Sequence, residues 1–231
     1  MLYLYTLLLT LLYPFSIPIL LYLARGERYR DSIPARFWLA RNPPFSRPRR
    51  FWFHGCSFGE LRSIGPILKG LQKRGELEEG VNITTITNTG FREGERLARR
   101  FNGECRYLPF DILIPFWGVP PERLVVLEAE LWFLLFHWVR RHRGKVIILN
   151  GRISDRSWPR YWRFRWFYRS LFKNVELVLA QREVDRDRFL RLGAPRVEVV
   201  GNIKTLFTPS PPLPLQFQRP IIVAGSTHRG E

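Results

Sequence analysis

Short apolar runs alternate along most of the chain with segments in which apolar residues recur at helical spacing. Strands are predicted where β-branched or apolar residues cluster, at 51–54, 81–87, 123–127, 145–149, 176–180 and 197–200. Helices are predicted where the helical period holds, at 61–71, 93–101, 131–141 and 184–192. Strands that alternate with helices are typical of the α/β class, so we predict a parallel, doubly wound sheet.

The amino-terminal segment differs from this pattern. Its first 24 residues contain no charged side chain, and Arg25, Arg28 and Arg30 follow at once. An apolar segment with basic residues on one side predicts a membrane anchor over residues 1–25, with the rest of the chain on the cytoplasmic side. Pro14 and Pro18 interrupt the segment, so the pattern allows a spanning or a half-inserted anchor. The alternative is a buried core helix.

Charge narrows the choice of partners. The chain has 37 Lys and Arg against 20 Asp and Glu, a formal net charge of +17. This excess favours an anionic partner, which the charge alone leaves open among nucleic acid, anionic lipid and a phosphorylated substrate. Two cysteines, Cys56 and Cys105, are too few for a disulfide framework and indicate a reducing compartment.

The stretch 156–173 interleaves arginines with tryptophan, tyrosine and phenylalanine. We predict one amphipathic helix that lies in the headgroup layer of an anionic membrane, where arginines meet phosphates and aromatic rings meet acyl chains. The same composition suits stacking on single-stranded nucleic acid, or an ordinary core helix with arginines on its solvent face.

The richest local signal lies at 51–60, where an apolar strand leads into a turn with two glycines and then Glu60. Ser57 is placed to cap the following helix, and Glu60 would lie in its first turn, near N–H groups that favour its ionised form. A carboxylate fixed at the carboxyl edge of a parallel sheet is a candidate general base. The alternative is a carboxylate that merely complements a helix end. Cys56 with His54 is a weaker candidate nucleophile.

Two more acids, Glu128 and Glu130, follow the strand at 123–127. Acids two positions apart after a strand point in different directions, so we predict no metal site there. We also predict that the protein has no cofactor. Alone, each acid would be expected to face solvent or to pair with a nearby arginine.

Seven segments occur in one order that resembles the Kdo (3-deoxy-D-manno-octulosonic acid) transferases of lipopolysaccharide synthesis. They are His54-Gly-Cys-Ser-Phe-Gly-Glu60, Thr87-Asn-Thr-Gly90, Tyr107-Leu-Pro-Phe-Asp111, Glu128-Ala-Glu-Leu-Trp132, Asn150-Gly-Arg-Ile-Ser154, Gly201-Asn-Ile-Lys204 and Val223-Ala-Gly-Ser-Thr-His-Arg-Gly-Glu231. The resemblance covers essentially the whole chain. It departs at Ala129, where the family usually has Thr, and at Phe133, where it usually has Pro.

The resemblance implies a membrane-associated, inverting glycosyltransferase of the GT-B architecture, with two Rossmann-like domains. It implies CMP-Kdo as donor, the lipid A precursor (lipid IVA) as acceptor, and no metal. By motif match, Glu60 is the base, and Glu128 and Lys204 stabilise the transition state. The same motifs supply the residues expected to bind substrate: Ser57, Gly59, Thr89, Gly90, Asn150, Arg152, Ser226 and His228.

The resemblance also implies a domain organisation. We expect a membrane anchor at 1–25, a Rossmann-like acceptor domain at 26–204, a Pro-rich linker at 205–219 and the first strand of a donor domain at 220–231. The donor-binding half is then expected to lie outside this sequence, in a longer enzyme or in a separate partner chain. Without it the isolated chain is expected to be inactive.

These inferences place the protein at the cytoplasmic face of the inner membrane, with CMP-Kdo, the lipid A precursor and the anionic membrane surface as partners. Two other classes stay open at this point. One is a membrane-anchored module that binds the lipid A precursor without catalysis. The other is a nucleic-acid-binding protein, which the charge suits but the apolar amino terminus does not, so no nucleic-acid partner is predicted.

Overall fold

A computed structural model describes residues 1–26, 29–39, 41–128 and 130–206. At its centre is a sheet of seven strands in the order β3-β2-β1-β4-β5-β6-β7, and every neighbouring pair is parallel. The strands are β1 (Phe51–His54), β2 (Val81–Thr85), β3 (Glu104–Tyr107), β4 (Arg123–Leu127), β5 (Lys145–Gly151), β6 (Leu177–Ala180) and β7 (Val197–Val199). This confirms the predicted α/β class and the parallel, Rossmann-like sheet.

Helices surround the sheet and precede it. They are α1 (Leu2–Leu23), α2 (Ser32–Phe37), α3 (Phe58–Lys73), α4 (Asn88–Arg100), α5 (Ile114–Trp117), α6 (Phe133–Arg141), α7 (Trp158–Arg163), α8 (Arg165–Phe172) and α9 (Glu183–Arg191). Single 3₁₀ turns lie at Asp111–Leu113 and Ile203–Leu206.

The core has two layers, one on each face of the sheet, because side chains along a strand alternate between faces. In β1, Phe51 and Phe53 pack with α3 and α4, whereas Trp52 packs on the opposite face with α6, α8 and α9. All three ring side chains are nearly or fully buried. The two apolar layers hold the strands in register, so that every carboxyl end opens on one edge of the sheet.

The strand order reverses direction between β1 and β4, which are direct neighbours. In open α/β sheets, ligands bind outside the carboxyl ends of the strands at this reversal. Glu60 follows β1 and Glu128 follows β4, so the two predicted acids flank it. The fold therefore supports the choice of this edge as the site.

Helix α1 is continuous through Pro14 and Pro18, which corrects the expectation that the prolines interrupt it. It is the one helix of the described ranges long and apolar enough to cross a membrane, and Leu20 is its one buried residue. One face nevertheless touches the domain. Leu2, Tyr5 and Leu9 pack against the core, and Tyr13 stacks on Phe110 at 5.7 Å between ring centroids.

Three other element predictions need correction. Helix α4 begins at Asn88, not at 93, because the Thr87 hydroxyl caps it by accepting from Gly90 N at 3.2 Å. The stretch 156–173 forms two helices, because the backbone at Phe164 leaves the helical region between them. Strand β3 was not predicted, and its edge position explains its polar sequence.

Candidate active site

The turn after β1 holds Glu60 by three hydrogen bonds. Ser57 Oγ donates to Glu60 Oε1 at 2.7 Å, Cys56 N donates to Oε2 at 2.9 Å, and Glu60 N donates to Ser57 Oγ at 3.3 Å. The pattern is a capping box in which the carboxylate reaches back past the helix cap. Glu60 is therefore fixed in place, with 9% of its surface exposed at the carboxyl edge of the sheet.

Residues on the neighbouring strand hold this turn. Thr87 Oγ1 and Thr85 Oγ1 both donate to the Cys56 carbonyl, at 2.8 Å and 3.3 Å. A Cβ added at Gly90 would lie 2.3 Å from the Thr85 hydroxyl oxygen and 2.8 Å from that of Thr87. Gly90 thus leaves room for the two hydroxyls that position the Cys56 turn. The sequence assigns neither threonine a role, although Thr87 opens one of the seven segments.

The electrostatic setting of Glu60 differs from the expected one. Burial raises the pKa of its carboxyl above the ordinary 4.5, and the nearby Glu128 and Glu130 raise it further, although hydrogen bonds from Ser57 and Cys56 act in the opposite direction. The sequence predicts the opposite direction, because backbone N–H groups in the first helical turn favour the ionised carboxylate. A raised pKa still suits a general base, because proton transfer is most efficient when the pKa of the base approaches the working pH.

Glu128 and Lys204, which are distant in sequence, meet at this edge. Lys204 Nζ lies 2.6 Å from Glu128 Oε1, and both side chains are partly exposed. Glu128 has a left-handed backbone, with φ of 58°, and its N–H donates to Leu149 O at 2.8 Å. Such backbone strain in a residue other than glycine clusters at functional sites. The structure thus brings together the two residues predicted to act on the transition state.

Asn150 helps to position the Lys204 side of this ion pair. It is fully buried at the end of β5, also with a left-handed backbone, and its Oδ1 accepts from Ile203 N at 3.1 Å. That bond fixes the segment that carries Lys204. The prediction that Asn150 contacts substrate stays a prediction, and its observed contact is with the protein.

A cavity of about 220 Å³ opens beside Glu128 and is lined by Glu130, Arg152, Arg160 and Tyr161 among others. Arg152 is exposed there, which fits a residue that meets an anionic ligand. Arg152 and Arg160 therefore share the lining of this cavity with the carboxylates of Glu128 and Glu130. This cavity is the opening nearest to the predicted catalytic residues among the cavities described.

The remaining predicted substrate residues have varied settings. Gly59 and Thr89 are exposed in the first turns of α3 and α4, whereas Ser57 is engaged with Glu60. Ser226 and His228 lie outside the described residues, as do most of the predicted linker and the predicted donor-domain strand. Their roles stay predictions.

One group of side chains near Glu60 has the chemistry of metal ligands. His54, Cys56 and Glu130 place one ligand atom each within 4.8 Å of one another. The His54 imidazole is fully buried, and burial followed by the charge of Arg36 lowers its pKa to about 3, so it is neutral. His54 Nε2 lies 3.6 Å from Cys56 Sγ, and its Nδ1 lies 3.0 Å from Thr84 Oγ1. The prediction that no metal is needed stays a prediction.

Cys56 is poorly suited to act as a nucleophile. Burial raises the pKa of its thiol, and a hydrogen bond with Glu130 and the charges of Glu130 and Glu60 raise it further. The reactive form of cysteine is the thiolate, which this setting disfavours. The structure therefore argues against the Cys56–His54 alternative.

Sequence reasoning also missed Arg36, which α2 brings to the same place. Its Nε donates to Leu108 O at 2.9 Å, and its guanidinium lies 5.8 Å from the centre of the Trp132 ring. Burial lowers the pKa of this guanidinium, although the charges of Cys56 and Glu130 oppose the change. None of the seven segments includes Arg36, which lies between the apolar amino-terminal helix and strand β1.

Comparison with known proteins gives consistent matches. The sequence profile of the 3-deoxy-D-manno-octulosonic-acid transferase (kdotransferase) family matches residues 31–207. A 3-deoxy-D-manno-octulosonic acid transferase of Haemophilus influenzae is 29% identical over 90% of this chain and 52% of its own length. One of Chlamydia pneumoniae is 28% identical over 98% of this chain and 56% of its own length. A bifunctional glycosyltransferase/methyltransferase of Fusobacterium nucleatum is 28% identical over 78% of this chain and 30% of its own length.

The parallel sheet, the acids at its reversal point and these matches define a Rossmann-like domain of a glycosyltransferase. The profile covers most of the chain, including every described residue of the site. The chain belongs to the Kdo transferase family. It spans about half the length of the curated relatives described above from Haemophilus and Chlamydia.

The pKa shift of Glu60 predicts a pH dependence of transfer that tests its predicted role as base. A base must be ionised, so in that role the rate should fall as the pH drops through a pKa above 4.5. Because Ser57 donates to the carboxylate, Ser57→Ala should move this acidic limb to still higher pH. The pH profile of kcat/KM measures both effects. Ser63→Ala is the control, because Ser63 Oγ donates to the Glu60 carbonyl and not to its carboxylate. Equal limbs in all three proteins would contradict the prediction.

Proposed function

We propose that this chain is the acceptor-binding, base-supplying part of an inverting transferase that moves Kdo from CMP-Kdo to the lipid A precursor. The observation that carries the proposal is the placement of Glu60, fixed by hydrogen bonds beside the Glu128–Lys204 pair at the reversal point of the sheet. A donor-binding domain, in the same polypeptide or in a partner chain, completes the enzyme.

The chemistry requires three functions at this edge. A sugar hydroxyl is a weak nucleophile, so a carboxylate must accept its proton as the new bond forms. The donor carbon becomes cationic, and Glu128 supplies a negative charge to it. The leaving CMP gains negative charge, which the ammonium of Lys204 stabilises. Their observed ion pair keeps both groups in position before substrate enters.

Two surfaces support action at a membrane. Helix α1 exposes Leu4, Leu8, Leu11 and Phe15 among other apolar residues, and it lies against α8 through the contact of Tyr5 with Phe167 at 5.6 Å. Next to it, three large rings are exposed: Trp162 on α7, Trp166 on α8, and Phe164 between the two helices. Apolar rings among arginines suit the headgroup layer of an anionic bilayer. We place this surface on the cytoplasmic face of the inner membrane.

The proposal is tested by two assays on the same protein. The chain in detergent should bind lipid IVA, and the chain joined to the donor half of the Haemophilus relative should transfer radiolabelled Kdo from CMP-Kdo to it. Transfer that Glu60→Gln removes while lipid binding persists supports the proposal. Absence of lipid IVA binding would contradict it.

A non-catalytic module that binds the lipid A precursor is the alternative, favoured by the full engagement of Glu60 in a helix cap. Such a module would keep its function in Glu60→Gln. The alternative therefore predicts equal lipid binding and no transfer in either protein, whatever donor half is supplied.

Reversing the charge of Arg163 and Arg165 should weaken binding to anionic liposomes by more than about tenfold, because each basic residue near such a surface contributes about 1 kcal/mol. Both side chains are exposed, next to the exposed rings. Flotation measures the bound fraction. The matched control reverses Arg99 and Arg100, which are exposed on α4 at the opposite face of the sheet. Equal flotation of both variants would remove the role of α7 and α8 at the membrane.

A further inference from the structure

Three side chains at the carboxyl edge of the sheet, those of Asn150, Trp132 and Arg36, carry hydrogen-bond donors that have no acceptor among the described residues. The indole Nε1 of Trp132 is buried without a partner. Arg36, which stacks on the same ring, uses only its Nε, so its two Nη groups have no acceptor in the described parts of the chain. Each buried polar group without a partner in a native structure calls for a physical explanation, such as an ion or a ligand.

The charge of Arg36 is also unpaired. No acidic side chain of the described ranges forms an ion pair with it, although Glu130 and Cys56 lie close enough to influence its charge. Glu130 lies instead beside Cys56, with a carboxylate oxygen within 4.8 Å of the thiol sulfur. The rings of Phe37 and Trp132 attract this cation but accept no hydrogen bond from it in its plane, so a bound anion would replace hydration that burial removes.

Arg106 offers a direct contrast within the same fold. Its Nε also donates to a backbone carbonyl, that of Pro43, at 3.0 Å. Its Nη groups, however, donate to Cys105 O at 2.9 Å and Glu104 Oε2 at 2.7 Å. Arg106 is thus satisfied by the protein alone, whereas Arg36 is not. Arg36 is only partly buried, so a ligand can reach it.

We propose that Arg36 and Trp132 bind an oxyanion, a carboxylate or a phosphate, beside the Glu60 turn. The planar guanidinium presents two parallel N–H groups that match either anion, and the indole supplies a third donor. The site adjoins the base, because Cys56 lies within the electrostatic reach of both Arg36 and Glu60.

The inference rests on the proposed function for the source of the anion. The transferred sugar is an acid with a carboxylate next to its reacting carbon, and the proposed acceptor carries phosphates. Either group would neutralise Arg36 as the substrates assemble. Binding of the anion close to Glu60 would orient a reactant for proton transfer.

Modification of arginines by phenylglyoxal, resolved by mass spectrometry on the whole chain, tests the site. We expect free Kdo or inorganic phosphate to slow modification of Arg36 at least fivefold while leaving Arg106 unchanged. Protection by Kdo but not by its methyl ester would assign the carboxylate, and protection by phosphate but not by Kdo would assign the acceptor phosphate. Arg36 that is modified at the same rate with Kdo, phosphate or neither would overturn the proposal.

A second variant separates binding from folding. Trp132→Phe keeps the ring over Arg36 but removes the N–H, so the concentration of the protecting anion needed for half protection should rise about fivefold. Trp138→Phe on α6 is the control and should leave it unchanged. Equal values in both variants would remove Trp132 from the site. These measurements need neither lipid nor transfer, so their failure is distinguishable from failure of the proposed function.

Discussion

Glu60→Gln is expected to lower transfer by a factor of about 10² to 10⁴, the range in which general bases contribute. Glutamine has the same shape and can keep a bond to Cys56 N and another to Ser57, so the turn should stay intact. Only the ability to accept a proton is lost. The reduction should therefore appear in kcat and in kcat/KM, whereas binding of lipid IVA should persist.

The control for this experiment is Glu93→Gln. Glu93 is also a buried helical acid, but it lies in the middle of α4 and pairs with Arg96, away from the carboxyl edge of the sheet. This change should reduce the free energy of unfolding and leave kcat nearly unaltered. If Glu60→Gln kept more than about a tenth of the wild-type kcat, Glu60 would be a structural cap and another group would have to accept the proton.

Removal of the ion pair at the reversal point should have the second largest effect. Lys204→Met and Glu128→Gln are each expected to lower kcat/KM by about 10² to 10³, the usual effect of removing one charge-stabilising group. Because the two groups touch at 2.6 Å, the double variant should lose little more than the more damaging single one. A double-mutant cycle on kcat/KM measures this coupling.

A matched ion pair at the opposite end of the sheet provides the control. Lys145 Nζ lies 2.8 Å from Glu176 Oε1, with similar exposure to the Lys204–Glu128 pair. Lys145→Met and Glu176→Gln should leave kcat/KM unchanged, because exposed ion pairs contribute little to stability. Additive losses in the Lys204–Glu128 cycle would show that the two residues act separately.

The sheet was largely predictable from sequence, for a physical reason. Buried parallel strands need apolar or β-branched residues on both faces, and the apolar run from Val125 to Leu127 has this pattern. Strand β3 lacked that signal, because Glu104 and Arg106 occupy an edge where only one side is covered. The start of α4 was missed because Asn88 and Gly90 favour turns locally, whereas the Thr87 cap and packing against β2 decided otherwise.

The site was predictable to a lesser extent. The place of Glu60 followed from the strand, the turn and the cap, but the direction of its pKa shift did not, because burial depends on distant segments. The pairing of Glu128 with Lys204 has no local signal, and its residues were named through family resemblance. Arg36 had neither signal, since only the folded chain brings α2 over the turn after β1.

The contact between Tyr5 and Asp111 has a practical consequence. Tyr5 of α1 donates to Asp111 Oδ2 at 3.2 Å, and the same carboxylate accepts from Leu134 N and Leu135 N at the start of α6. Helix α6 begins directly after Trp132, so one carboxylate joins the apolar helix to the loop of the oxyanion site. Shortened versions that omit the apolar helix to ease purification would release one anchor of that loop, and harsh detergents could do the same. Preparations that keep the helix, in nanodiscs for example, should therefore preserve the position of the loop that carries Trp132.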